Sequence, residues 1–200
     1  VQGLVNSFGS VVMAAFAAAV KIDAFAYMPV QDFGNAFSTF VAQNYGAGKK
    51  ERVREGFRGA VAASVGFCLV VSVFVFAFAR PLMAMFVDEE GAGVVAEGVR
   101  YLRIEGTFYA GIGCLFLLYG LYRALGKPEM SVVLTVISLG TRVLLAHLLS
   151  GVPAIGVTGI WWAVPIGWFL ADAAGFLYYF ARYKWQSPDG AKSQNRDGKK

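Results

Sequence analysis

The stretch GAVAASVGFCLVVSVFVFAFA, from Gly59 to Ala79, runs for 21 residues without a charge. As an α-helix it rises about 30 Å, the thickness of the hydrocarbon core of a bilayer. Working outward from it, apolar windows recur over residues 1–20, 24–45, 57–79, 101–123, 130–150 and 154–181. These windows predict an all-α membrane protein built as a six-transmembrane-helix bundle. The composition agrees, with 57% hydrophobic residues, 16% charged residues and a mean hydropathy of +0.56. Among the 200 residues, 17 Phe and 24 Gly suit lipid-facing bulk and close helix contacts.

The loops orient the bundle. Lys49, Lys50, Arg52, Arg54 and Arg58 follow the second window, Arg123 and Lys127 follow the fourth, and Arg182 and Lys184 follow the sixth. Basic loops stay on the cytoplasmic side. The alternate connections are poorer in base: Lys21 with Asp23, then Arg80 and Arg100 among Asp88, Glu89, Glu90 and Glu97, then the uncharged GVPAIGV. Six crossings in this pattern put both ends of the segment in the cytoplasm, in a multi-pass protein of the plasma membrane. Gly46 and Gly48 suit a left-handed helix stop, and Gly126 with Pro128 suits a stop followed by a new start. Residues 1–186 are thus expected to form the transmembrane unit and 187–200 a disordered cytoplasmic tail.

Soluble catalysis finds no support. There is no phosphate-cradling glycine loop, no GxSxG and no HExxH, and the single histidine, His147, cannot build a histidine metal cluster. Cys68 and Cys114 fall inside apolar windows and are read as small packers, so neither a disulfide nor a metal nor a cofactor is expected. The net charge of +5 is spent on loops and tail, where it meets anionic lipid and not nucleic acid.

Charges inside the windows cost about 2.5–3.5 kcal/mol each and need a reason. Asp32 enters from the outer side to a depth of about 12 Å and Arg142 from the inner side to about 18 Å, so in a core about 30 Å thick they are expected to meet. Glu105, about one turn below the outer surface, either joins Asp32 and Arg142 in a buried ion-pair cluster or cavity lining or, the favoured reading, snorkels to the outer interface, and Asp172 is read as an interfacial carboxylate near the inner end. Uncharged polar residues mark a second surface: Asn6 and Ser7, then Gln31, Asn35, Ser38, Thr39 and Gln43, with Tyr109 and Tyr119. They are too many for lipid to surround, and Gln31, Asn35, Ser38 and Thr39 share one helical face. The cavity is therefore expected to be lined by Asn6, Gln31, Asp32, Asn35, Thr39, Tyr109 and Arg142, with Pro29 freeing a backbone carbonyl beside it.

The runs STFVAQNYGAGK (38–49) and GLYRALGKPEMS (120–131), set among MPVQDFGNAF and YLRIEGTFYAGIGC, resemble the C-terminal half of multidrug and toxic compound extrusion (MATE) transporters. The likeness spans residues 1 to about 183. It implies one lobe of a twelve-helix, two-lobed transporter, with an N-terminal six-helix lobe as partner and small amphipathic or cationic compounds as substrates. Export would be coupled to entry of H+ or Na+ through alternating access. In sodium-coupled members the tenth helix carries an aspartate deep in the membrane, whereas YAGIGCLFLLYG here has no carboxylate, so the coupling ion stays open. A lipid-linked oligosaccharide flippase of the same superfamily and an unrelated six-helix channel or scaffold are the alternatives.

Overall fold

A computed structural model describes residues 2–87 and 91–183. The expected tail 187–200, Lys184 and the acidic residues 88–90 lie outside the described residues. Seven helices follow one another: α1 (Gln2–Asn6), α2 (Ser10–Gly46), α3 (Lys50–Ala84), α4 (Ala92–Thr107), α5 (Tyr109–Ala124), α6 (Pro128–Ser150) and α7 (Val157–Arg182).

The largest departure from expectation is α2. Two crossings, 1–20 and 24–45, with a turn at Lys21 and Asp23 give way to one helix of 37 residues. The physical reason lies in the residues between Ser10 and Met28, which include no Gly or Pro and are rich in Ala. Two charges alone do not stop such a helix. The break comes earlier, at Gly9, whose φ of 97° is open to glycine at little cost. Pro29 sits inside α2 without ending it.

Four helices, α2, α3, α6 and α7, are long and apolar enough to cross a membrane, and α4 with α5 makes a fifth span bent by 52°. Among the described residues the candidate spans number four, or five where the bent pair counts as one, against the six windows expected. With the bent pair as one span, the start of α2 and the end of α7 lie at opposite ends of the bundle, an arrangement different from the shared side expected of six crossings. The windows 130–150 and 154–181 fall close to α6 and α7, whereas the window 101–123 becomes the bent pair α4 and α5, which begins at Ala92. α3 begins earlier because the basic run 50–58 continues the same helix, and Gly48 (φ 73°) and Gly126 (φ 71°) stop α2 and α5 as read from their sequence.

α5 is the central post of the bundle: Leu117, Leu118 and Leu121 are fully buried against α2, α3, α6 and α7. Bare backbone lets its neighbours in. A Cβ on Gly120 would stand 2.5 Å from the Gly34 carbonyl oxygen, so α2 and α5 cross in backbone contact. α6 and α7 meet likewise where a Cβ on Gly167 would stand 2.6 Å from the Ser138 carbonyl. Outside this core, α3 turns Val70, Val73, Phe74 and Phe78 to the surroundings, an apolar face that suits lipid chains.

Candidate functional site

The bend between α4 and α5 assembles a polar cluster inside the bundle. Tyr101, Glu105 and Tyr109 recur at four-residue spacing, so they form one stripe across the bend and face Asp23 of α2. Asp23 and Glu105 are both buried, 2% and 4% exposed, in surroundings where an isolated charge is costly. The Tyr109 hydroxyl donates to Asp23 Oδ1, and the Tyr101 hydroxyl donates to Glu105 Oε2 at 2.7 Å. The two carboxyl groups act on each other electrostatically, while Asp23 Oδ2 and Glu105 Oε1 have no hydrogen-bond partner.

Arg142 of α6 is the cation whose field acts on both carboxylates, and its buried Nε has no partner. With both acids ionised the three groups carry one net negative charge. One bound proton or one monovalent cation makes the set neutral. Above the cluster the Phe16 ring stacks on Trp161 at 5.6 Å and Tyr101 packs edge-on to both. Trp161 is fixed in turn by Nε1 donating to Glu97 Oε1 at 2.9 Å. This aromatic plate closes the cluster from that end of the bundle.

A second feature opens on the other side of Tyr27. Its ring lies 6.2 Å from that of Phe116, and beyond Phe116 is a cavity of about 440 Å³. Gln31 and Asn35 of α2, Tyr119 and Arg123 of α5 and Ser131 and Thr135 of α6 supply its polar lining. Arg123 Nη2 donates to Asn35 Oδ1 at 2.9 Å.

The expected site residues are therefore divided. Tyr109 and Arg142 belong to the buried cluster, and Gln31 and Asn35 to the cavity. Thr39 lies exposed one turn beyond Asn35, on the same open face of α2. Asn6 ends α1, exposed and apart from both features. Asp32 is exposed on α2, and among the described residues it forms no ion pair with Arg142, whose field falls on Asp23 and Glu105. The matched depths fail because α2 is longer than the segment they were measured on.

Glu105, expected to snorkel, is enclosed. Asp172, expected at the interface, is 7% exposed against α5, with Oδ1 unpartnered. His147 lies near the end of α6 with Nδ1 2.9 Å from the Val143 carbonyl, and Cys68 and Cys114 are buried free thiols. Asp23, Tyr101 and Arg123 went unread as site residues. The signal for the first two was available in the stripe of 101, 105 and 109 and in a lone Asp within an uninterrupted Ala-rich helix.

A bundle of long apolar helices that buries a charged cluster and leaves a polar helix face open has the architecture of a multi-pass membrane protein. The MatE family profile matches residues 1–148, and the chain belongs to that family. It is 32% identical over 186 residues to the probable multidrug resistance protein YpnP of Bacillus subtilis (strain 168), covering 92% of this chain and 41% of the relative. A MATE structure in complex with MaL6 superposes with a TM-score of 0.84 at 21% identity, over 90% of this chain and 41% of the other. The MATE transporter ClbM in complex with Rb+ gives 0.80 at 26% identity, over 98% and 44%. The chain thus spans about two fifths of the length of the relatives it matches.

Proposed function

We propose that this chain forms most of one lobe of a cation-coupled antiporter that exports amphipathic compounds, cationic ones among them, by alternating access. The rest of the transporter, an N-terminal lobe of six helices, would close the open polar face of α2 across a central cavity, and lipid would cover α3. The basic loops after α2 and α5 face the cytoplasm, so the start of α2 faces outward and the end of α7 inward.

The observation that carries the reading is the buried pair Asp23 and Glu105 beside Arg142. Left ionised, the pair holds an uncompensated negative charge in an apolar core, and such a charge draws in a proton or Na+. Neutralisation changes the acceptors of the Tyr101 and Tyr109 hydroxyls. The Tyr109 hydroxyl ties α5, the second limb of the 52° bend, to Asp23 of α2, and the Tyr101 hydroxyl holds Glu105 within α4 just before the joint, so ion binding acts on bonds on both sides of that joint. A bistable bend of this kind is what rocking of one lobe against the other requires. The Rb+ complex of ClbM supports a monovalent cation as a ligand of this fold.

The test uses the complete polypeptide in proteoliposomes, with efflux of a cationic dye driven separately by a pH gradient and by a Na+ gradient. Glu105→Gln and Asp23→Asn are expected to reduce gradient-driven efflux about tenfold or more while the amount of folded protein stays the same. The gradient that drives the unaltered protein names the ion. Undiminished efflux in both variants would remove the pair from coupling.

A further inference from the structure

The cavity beside the buried cluster has a polarity of its own. Arg123 is the one charged residue among those that line it, and no carboxylate does so. Among the described residues Arg123 has no acidic partner within salt-bridge distance. Its position is also unusual for a loop-orienting base. Arg123 is the second-last residue of α5, yet its guanidinium reaches Asn35, whose neighbour Gly34 packs on Gly120, nearly one turn back into the bundle. The side chain lies exposed along the open side of the cavity, against Asn35.

Donor and acceptor bookkeeping then fixes what the cavity offers. A guanidinium only donates, so Asn35 must turn its carbonyl oxygen to Arg123 and is left presenting its NH2 group. Arg123 keeps further N–H donors, and Gln31 adds an amide. The hydroxyls of Ser131 and Thr135 spend their protons on the backbone carbonyls of Tyr119 (3.3 Å) and Ser131 (2.9 Å). Val132, Val136 and the Phe116 ring complete the walls with apolar surface. The polar end is rich in donors and positive, and the rest is greasy.

We propose that this cavity is a subsite for amphipathic anions, holding a phosphate or carboxylate head on Arg123 and Asn35 and an apolar or aromatic body against Phe116, Val132 and Val136. Two oxygens of a phosphate or carboxylate match the paired N–H groups of a guanidinium, whereas a cationic head would meet the Arg123 charge. The inference rests on the transport reading only in taking this cavity to lie on the substrate path. The same chemistry could come from a soluble aryl phosphate or from the head of a membrane lipid.

The experiment is equilibrium binding to the complete polypeptide purified in neutral detergent, with no ion gradient. The probes are 2-naphthyl phosphate, lysophosphatidic acid and (2-naphthylmethyl)trimethylammonium. Arg123→Gln is expected to weaken binding of the anions about tenfold or more, as loss of a charge-assisted pair of hydrogen bonds implies. Binding of the ammonium probe should stay unchanged. Asn35→Asp supplies an internal counter-ion for Arg123 and should suppress anion binding in the same way, which covers the case of a poorly folding Arg123→Gln. Binding of naphthyl phosphate assigns the site to soluble anions, and binding of lysophosphatidic acid alone assigns it to lipid heads, as a flippase would need. The proposal is overturned if neither anion binds the unaltered protein, or if both variants bind them as it does. Glu105→Gln separates the two readings, since it should stop coupled efflux and leave probe binding intact.

Discussion

Arg142 was recognisable in the sequence as a charge that needed a partner, but the partner was not. Depth arithmetic selected Asp32 because Asp23 stood beside Lys21 where two apolar windows met, and a pair of charges between apolar windows reads as a loop. Arg142 is the cation whose field reaches Asp23 and Glu105, so removal of the guanidinium should leave two carboxylates in the core without a counter-charge. Arg142→Leu is expected to destabilise the complete protein in detergent by about 1–3 kcal/mol. Glu105→Gln added to it should restore part of that loss, and Asp32→Leu should restore none. A thermal-melting series read by fluorescence-detected size exclusion decides the matter. Strict additivity of Arg142→Leu and Glu105→Gln would show that the two residues do not interact.

At the scale of the helices, boundaries set by backbone chemistry were legible and those set by charge were not. Gly48 and Gly126 take left-handed conformations, and Pro128 opens α6 where a missing N–H costs nothing. The split within α2 was misread because hydropathy windows sized to a bilayer divide any long apolar helix that includes a polar residue. The 52° bend turns at Phe108, between Thr107 and Tyr109, and Gly106 one residue before it is a lone glycine inside an apolar window, a weak signal for a break. Glycines inside helices were legible only in kind, as permitting close contacts, and the structure says which of them do. Gly120→Val should force α2 away from α5, because its Cβ would already stand 2.5 Å from the Gly34 carbonyl. A loss of about 1–3 kcal/mol is expected, as for overpacking of a close contact, and a lowered melting temperature in detergent is the measurement. Gly140→Val, where a Cβ meets nothing within 4 Å, is the control and should melt close to the unaltered protein. Equal effects at the two positions would deny the backbone contact.

For the molecule as a whole, the odd number of crossings is the claim that separates the structure from the sequence reading most sharply. Six crossings place residue 10 in mid-membrane and begin the chain in the cytoplasm. A single helix from Ser10 to Gly46 instead puts Gly9 at the face shared by the α3–α4 and α6–α7 connections, opposite Lys50 and Lys127. Contacts at that face agree, since Phe16 near the start of α2 lies on Trp161 near the start of α7 and on Tyr101 of α4. Single cysteines at Gly9, Gly91 and Pro153 should therefore react with a membrane-impermeant maleimide in intact cells, whereas cysteines at Lys50 and Lys127 should react only after permeabilisation. For this experiment Cys68 and Cys114 are replaced by alanine, and both are buried away from the reagent. Gly91 and Pro153 are expected outside on either count, so Gly9 carries the decision. A Gly9 cysteine that stays unlabelled in intact cells and reacts on permeabilisation, with the other four positions as expected, would restore a crossing between it and Lys50 and break α2 in two.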